Sequence, residues 1–225
     1  MPGGKRTDRI SERDLEVLEF VARFGTVPRE VVALWAGTGK AVTAARERRL
    51  RLAGLVEVLP GVGDTGRLIL CTRDGLRTVF RGELPVPRFT PGTVRHTAAV
   101  ARVAIDLERR GAHVLSEREI FAHERAVGAR IFSAPISERR FHRPDLIVYG
   151  NPTEAIEIEL TAKAARRLDG ILRAWRHAVL ENKVERIRYE CSQQAVAGVR
   201  RSIERVRADR FVESTLLGKP QSLSL

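Results

Sequence analysis

The sequence predicts an α+β chain built as two successive units, a small first unit of three helices and a β-hairpin and a larger second one mixing helices and strands. Three observations predict it. Apolar residues recur at helical spacing between residues 11 and 53 and are followed at once by two short β-rich runs. Pro85, Pro87 and Pro91 then interrupt any regular element. Beyond them, strand-like runs alternate with long segments of helical period, and one such run carries acids at period two. The boundaries expected are 1–84 for the first unit, 85–92 for a linker, 93–217 for the second unit and 218–225 for a disordered polar tail.

In the first unit, Ser11 with Asp14 three residues later has the form of a capping box opening a helix. Leu15, Leu18, Val21 and Ala22 form its inner stripe, and Gly25 ends it. A second short helix starts at Pro28, a favoured first-turn residue, and runs through Val31, Val32, Leu34 and Trp35. Gly37-Thr38-Gly39 turns the chain into a third helix, from Lys40 to Ala53, closed by Gly54. A hairpin follows, with strands at 55–59 and 67–71, and a last short helix at 72–76. Three helices and a hairpin in this order resemble a winged helix-turn-helix, with the run from Arg46 to Val58 matching a recognition helix that leads into a wing.

The second unit opens with a long helix from Thr93 to Arg110, ended by Gly111, and a short strand at 114–117. Residues 119–138 are mixed and predict little. Strands follow at 145–149 and 155–161, then a helix from Ala164 to Leu180 with Leu168, Ile171, Leu172, Trp175 and Val179 at helical spacing. A strand at 187–191, a helix from Ala195 to Arg207 and a last strand at 211–216 complete the pattern.

Composition narrows the class. The 225 residues are 43% hydrophobic and 30% charged, enough to bury at least one core. No apolar run is long enough to span a bilayer, and Met1-Pro2-Gly3-Gly4-Lys5-Arg6 has no apolar segment behind its charges, so a cytoplasmic protein without a membrane partner is expected. Cys71 and Cys191 are too few for a disulfide framework or a zinc cluster. The net charge of +12 favours a polyanionic partner, although a basic surface can also serve solubility alone. Arginine outnumbers lysine 35 to 5, so a lysine at a chosen position carries information.

The chemistry concentrates in the two acidic strands. Glu157, Glu159 and Thr161 share one face of the second strand, opposite Ile156, Ile158 and Leu160. If the loop between the strands has an odd number of residues, Asp145 lies on that same face, directly opposite Glu157; an even loop turns it to the far side. Carboxylates so close repel one another unless a cation neutralises them. Mg²⁺ (or Mn²⁺) suits such a group, since it takes one or two carboxylates and binds substrate phosphate. Lys163, just beyond the strand, could neutralise developing charge. The plainer alternative is a solvated sheet face with ordinary glutamates.

The order Pro144-Asp145, a dozen residues, Glu157-Ile158-Glu159, then Lys163 resembles the PD-(D/E)XK nuclease superfamily. The resemblance implies a nuclease-like α/β unit with Asp145 and Glu157 as metal ligands and Lys163 and Glu159 beside them. It also implies an acid from the first core helix: Glu108 fits best, on the Val94/Ala98/Ala101/Ile105 face, with Glu117 as the other candidate. Glu159 stands two residues after Glu157, where the superfamily usually has lysine, so Lys163 would reach back from the start of the next helix. With the first unit included, "RPDLIVYG" and "EIELTAK" make the chain similar to the replication-relaxation family of mobile elements and actinobacterial plasmids.

Two basic surfaces complete the expectations. On the third helix, Lys40, Thr43, Glu47 and Arg51, with Arg48 beside them, form a polar face suited to a major groove, while Val42, Ala45 and Ala53 fall opposite. Arg46 and Arg49 project toward the Val42 side and blur that division. Arg67 at the foot of the wing can touch phosphate. Arg166, Arg167 and Arg173 lie on the helix after the acids, with Arg176 and His177, where cations would hold a DNA backbone. The expected partner is double-stranded DNA, and a homodimer is one arrangement the winged-helix resemblance allows. Two functions follow: a metal-dependent DNA endonuclease targeted by the winged helix, or a non-catalytic DNA-binding regulator using a degenerate nuclease fold.

Overall fold

The computed structural model describes residues 9–218, which form a mixed α+β chain; of the tail expected at 218–225, residues 219–225 lie outside the described residues. The chain divides into two compact units between Ala101 and Arg102, beyond the proline segment and inside a helix.

In the first unit, helix α1 (Glu12–Phe24) begins with the capping box: Ser11 Oγ accepts from the Asp14 amide, and the Asp14 carboxylate accepts from the Ser11 amide at 3.0 Å. Its inner face is rotated from expectation, because Asp14 is fully buried and Leu15 only half-buried. A strand the sequence did not suggest, β1 (Thr26–Pro28), precedes α2 (Arg29–Ala36). Then come α3 (Lys40–Leu52), strands β2 (Val56–Leu59) and β3 (Leu68–Cys71), and α4 (Arg73–Thr78). The sheet has the order β1-β3-β2 and is antiparallel throughout. Val17, Leu18, Val21, Leu50 and Leu68 are at most 2% exposed and form the centre of this unit. Gly75 on α4 permits a close approach, since a Cβ there would lie 2.1 Å from the Leu55 carbonyl oxygen.

Helix α3 corrects the orientation expected for it. Thr43 and Glu47 are 1% and 5% exposed and face inward, whereas Val42 and Ala45, expected inside with Ala53, are exposed. Ion pairs set this phase. Arg29 on α2 holds Glu47 with two hydrogen bonds of 2.5 and 2.6 Å. Arg49 makes two more to the buried Asp14, at 2.8 and 3.0 Å, and Arg46 adds one at 3.2 Å. Thr43 Oγ1 donates to the Gly39 carbonyl within its own helix. The exposed face therefore carries Lys40, Arg48 and Arg51 among small and apolar residues.

The helix in which the two units part is α5 (Val94–Glu108). The second unit continues with β4 (His113–Ser116), α6 (Glu117–Val127), β5 (Ala134–Ser137), β6 (Arg140–His142), β7 (Leu146–Tyr149) and β8 (Glu154–Glu159). Then follow α7 (Ala165–Leu180), β9 (Arg186–Cys191), α8 (Val196–Val206) and β10 (Val212–Leu216). The main sheet has the order β10-β9-β8-β7-β4. Strands β4, β7 and β8 are antiparallel neighbours, while β8, β9 and β10 run parallel and need the crossovers that α7 and α8 supply. Leu168, Ile171, Leu172 and Trp175 of α7 pack with Ala155, Ile187 and Tyr189 in the core. Strands β5 and β6 form a separate hairpin across the segment that the sequence left unread.

Candidate functional site

The β7–β8 pairing decides whether the acids meet. Leu146 lies opposite Ile156, Ile147 opposite Ala155 and Val148 opposite Glu154, leaving five residues, 149–153, in the connection. This is the odd register, and continued by one residue it sets Asp145 opposite Glu157. Asp145 stands just before β7, and its Oδ2 accepts the Ile158 amide at 2.7 Å, which ties the strand start to β8.

Glu157 is 3% exposed, and its Oε1 is held from two sides. Trp175 Nε1 of α7 donates to it at 3.0 Å, and His142 Nε2 of β6 lies 2.7 Å away. The two rings meet edge to face, with centroids 5.8 Å apart. Burial by itself would lower the pKa of His142; the charge and hydrogen bond of Glu157, with Asp145 behind it, override this and raise it. Glu159, also buried, pairs with Lys163. The lysine expected to serve the acids is thus engaged by the glutamate that stands at the usual lysine position.

Helix α6 begins beside Asp145. The backbone N–H of Glu117, the first residue of that helix, donates to the Asp145 carbonyl at 3.0 Å. Its surroundings, and then the Asp145 carboxylate, raise the Glu117 pKa, with Glu157 adding to the effect and Arg143 and His142 opposing it. Glu117 is therefore the acid that the structure links electrostatically to Asp145 and Glu157. Glu108 is half-buried at the last residue of α5.

Glu124 anchors the hairpin that carries His142. It is 1% exposed and accepts the Phe132 and Ser133 amides at 3.0 and 2.9 Å and the Ser133 hydroxyl at 2.7 Å. Arg143 lies 3.5 Å from the same carboxylate and stacks over Phe121. On β9, Tyr189 lies opposite Glu157 in the parallel register and is 1% exposed. Burial, then the Glu157, Glu159 and Asp145 charges, push its pKa well up, and its hydroxyl has no hydrogen-bond partner among the described residues.

A divalent cation is the group the sequence implies here. Asp145, Glu157 and Glu117 are hard oxygen donors of the right chemistry; the Glu117 pKa is raised first by burial, with the Asp145 and Glu157 charges adding to the rise. Among the described residues, however, no three His, Cys, Asp or Glu side chains already stand as a cage. Binding would require side chains to exchange the contacts they now make.

The sequence missed His142, whose one signal was its place three residues before Asp145. Trp175, on the apolar stripe of α7, is fully buried and also orients Glu157. Of the cationic surface residues, Lys40, Arg48, Arg51 and Arg67 are exposed in the first unit, and Arg166, Arg167 and Arg173 are exposed on α7 in the second. Thr43 and Glu47 serve the interior instead. Among the described residues, no helix is long and apolar enough to cross a membrane. No protein-family model matches the chain, and no curated protein matches it either.

Proposed function

We propose that this chain is a DNA-binding protein of a mobile element or plasmid, in which a winged helix-turn-helix directs a PD-(D/E)XK-type nuclease unit to double-stranded DNA. The element order of the first unit and its antiparallel β1-β3-β2 sheet support the winged-helix reading. Lys40, Arg48, Arg51 and Arg67 then supply cations for the DNA, and the exposed arginines of α7 hold backbone near the acids. In the second unit, an antiparallel β4-β7-β8 set extended by parallel β9 through α7 supports the nuclease-like reading.

The observation that carries catalysis is the register that sets Asp145 opposite Glu157. Asp145, Glu157 and Glu117 would hold the cation, which supplies Lewis-acid polarisation of a phosphodiester when bound. Trp175 fixes the Glu157 carboxylate, the Ile158 amide fixes Asp145, and Lys163 sets positive charge beside Glu159. The test is supercoiled plasmid incubated with the protein and Mg²⁺ or Mn²⁺, beside Asp145→Asn. Nicking by the natural protein and none by the variant is expected. Absence of cutting together with absence of bound metal sinks the nuclease reading.

One observation favours a second reading, a non-catalytic regulator of transcription or replication. Lys163 is paired with Glu159, which leaves the acids without the lysine that the superfamily places among them. This reading predicts a salt-sensitive gel shift with no strand cleavage.

A further inference from the structure

The β5–β6 hairpin is held tightly at its base and left open at its tip. At the base, Glu124 of α6 accepts the Phe132 and Ser133 amides, and His142 Nε2 lies 2.7 Å from Glu157 Oε1. Ala134 is fully buried in the core, where β5 packs against α7. From Ile136 to Phe141, in contrast, every residue is exposed. Ser137 lies opposite Arg140, so Glu138 and Arg139 alone make the turn between the strands. The arm is short, and both of its strands are fixed.

Its charge is one-sided. Residues 125–143 hold five arginines and one acid beyond Glu124, namely Glu138. Arg130 and Arg143 each lie 3.5 Å from the Glu124 carboxylate, and each also stacks on a ring, Phe141 and Phe121 respectively. Arg29, Arg49 and Arg205 likewise pair with acids in the fold. Arg139 and Arg140 make no ion pair among the described residues. Two adjacent exposed guanidinium groups without a carboxylate favour an anionic partner. Period two along β6 puts Arg140 on the strand face that carries His142, the face turned to Glu157. Helix α7, on which the hairpin packs, exposes Arg166, Arg167 and Arg173.

We infer that the β5–β6 hairpin is a DNA-contacting arm of the second unit, in which Arg139 and Arg140 hold backbone phosphates of the duplex. The inference rests on double-stranded DNA as the partner and adds an element that has no part in that reading. Guanidinium matches a phosphate with two parallel hydrogen bonds. The sheet face that carries Asp145, Glu157 and Glu159 repels phosphate, and cations on an arm beside it offset that repulsion. Because Glu124 and His142 hold the arm in place beforehand, binding has little backbone to order.

The experiment is fluorescence anisotropy of the full chain with a labelled duplex over a salt series. Arg139→Ala/Arg140→Ala is compared with Arg139→Lys/Arg140→Lys, and with Arg201→Ala/Arg210→Ala, which removes the same charge from exposed positions on and after α8. Thermal melting checks each fold, and the tip variants are expected to melt with the natural protein. The alanine pair at the tip is expected to weaken duplex binding about tenfold or more. It is also expected to reduce the slope of log affinity against log salt by about 1.8, for two phosphate contacts. The lysine pair is expected to restore most of that slope, and the α8 pair to bind like the natural protein. Natural affinity and slope in the tip alanine pair, or equal losses from the tip and α8 pairs, overturns the inference while leaving DNA as the partner. Failure of the natural protein to bind the duplex at low salt overturns the inference and the DNA reading together.

Discussion

Asp145 accepts the backbone amide of Ile158 at 2.7 Å, so one side chain both offers a carboxylate to the site and closes the β7–β8 ladder that brings Glu157 opposite it. Structure and chemistry are coupled at this residue, and the choice of substitution separates them. Asp145→Asn keeps an oxygen acceptor for the buried Ile158 amide and should unfold near the natural midpoint. Asp145→Ala leaves that amide without a partner and should cost ~1–3 kcal/mol in denaturant unfolding. Under the nuclease reading both variants lose nicking; equal stability of the two would show that the Ile158 contact contributes nothing.

Asp14 should contribute to the acid response of the first unit. Burial by itself would raise its pKa, but the hydrogen bond from Arg49, those from Ser11 and the Arg49 charge lower it to about 2. A depressed carboxylate stabilises the fold fully above its unfolded pKa and loses that contribution as pH falls through the folded one. The stabilisation from Asp14 should therefore fade between about pH 4 and about pH 2. Asp14→Asn should be less stable at pH 7 and should lack this part of the titration, as read by thermal melts across pH. A parallel pH profile in the variant would show that Asp14 is not the group responsible.

On α3 the exposed and buried polar residues should part in their effects. Arg48→Ala, at an exposed position, should weaken DNA binding and flatten the dependence of log affinity on log salt by roughly 0.9 per phosphate contact removed. Glu47→Gln should instead lower stability, because it uncouples the pair with Arg29 inside the unit. Anisotropy titrations with duplex DNA over a salt series, beside unfolding curves, distinguish them. A Glu47 variant of natural stability with altered base preference would return that residue to the recognition surface.

Glycines at two places should respond with opposite sign. Gly75→Ala would push a methyl group into the Leu55 carbonyl and Cys71 sulfur, and should destabilise by about 1–3 kcal/mol. Gly198→Ala, in α8 with nothing within 4 Å of the new Cβ, should stabilise by roughly 0.5–1 kcal/mol through helix propensity. Thermal unfolding of the two variants tests both, and a stabilised Gly75→Ala would contradict the close approach of α4 to Leu55.

Much of the fold was legible because its signals are local. Ser11 and Asp14 lie within one turn of each other, so the capping box could be read without knowing what α1 packs against. The stripe on α7 was legible for the same reason, since one helix face defines it. Strand β1 was not, because three residues show no alternation and become a strand only by pairing with β3. The β5–β6 hairpin escaped notice with a proline in its first strand and a register shift between Pro135 and Ser137. His142 went with it, as the hairpin alone brings that ring to Glu157.

By itself, the sequence determined the order of elements, the period-two acids of β8 and the two possible positions of Asp145, because backbone period and spacing are properties of contiguous residues. Tertiary structure decided between those positions through the β7–β8 register, which depends on how two separate strands align. It also set the phase of α3, burying Thr43 and Glu47 while Lys40, Arg48 and Arg51 stay exposed, since the partners of Glu47, Arg46 and Arg49 lie on other helices. The candidate site gained His142 and engaged Lys163 by the same route. Long-range charge pairing and strand register are relations between distant residues, and only folding brings those residues within reach.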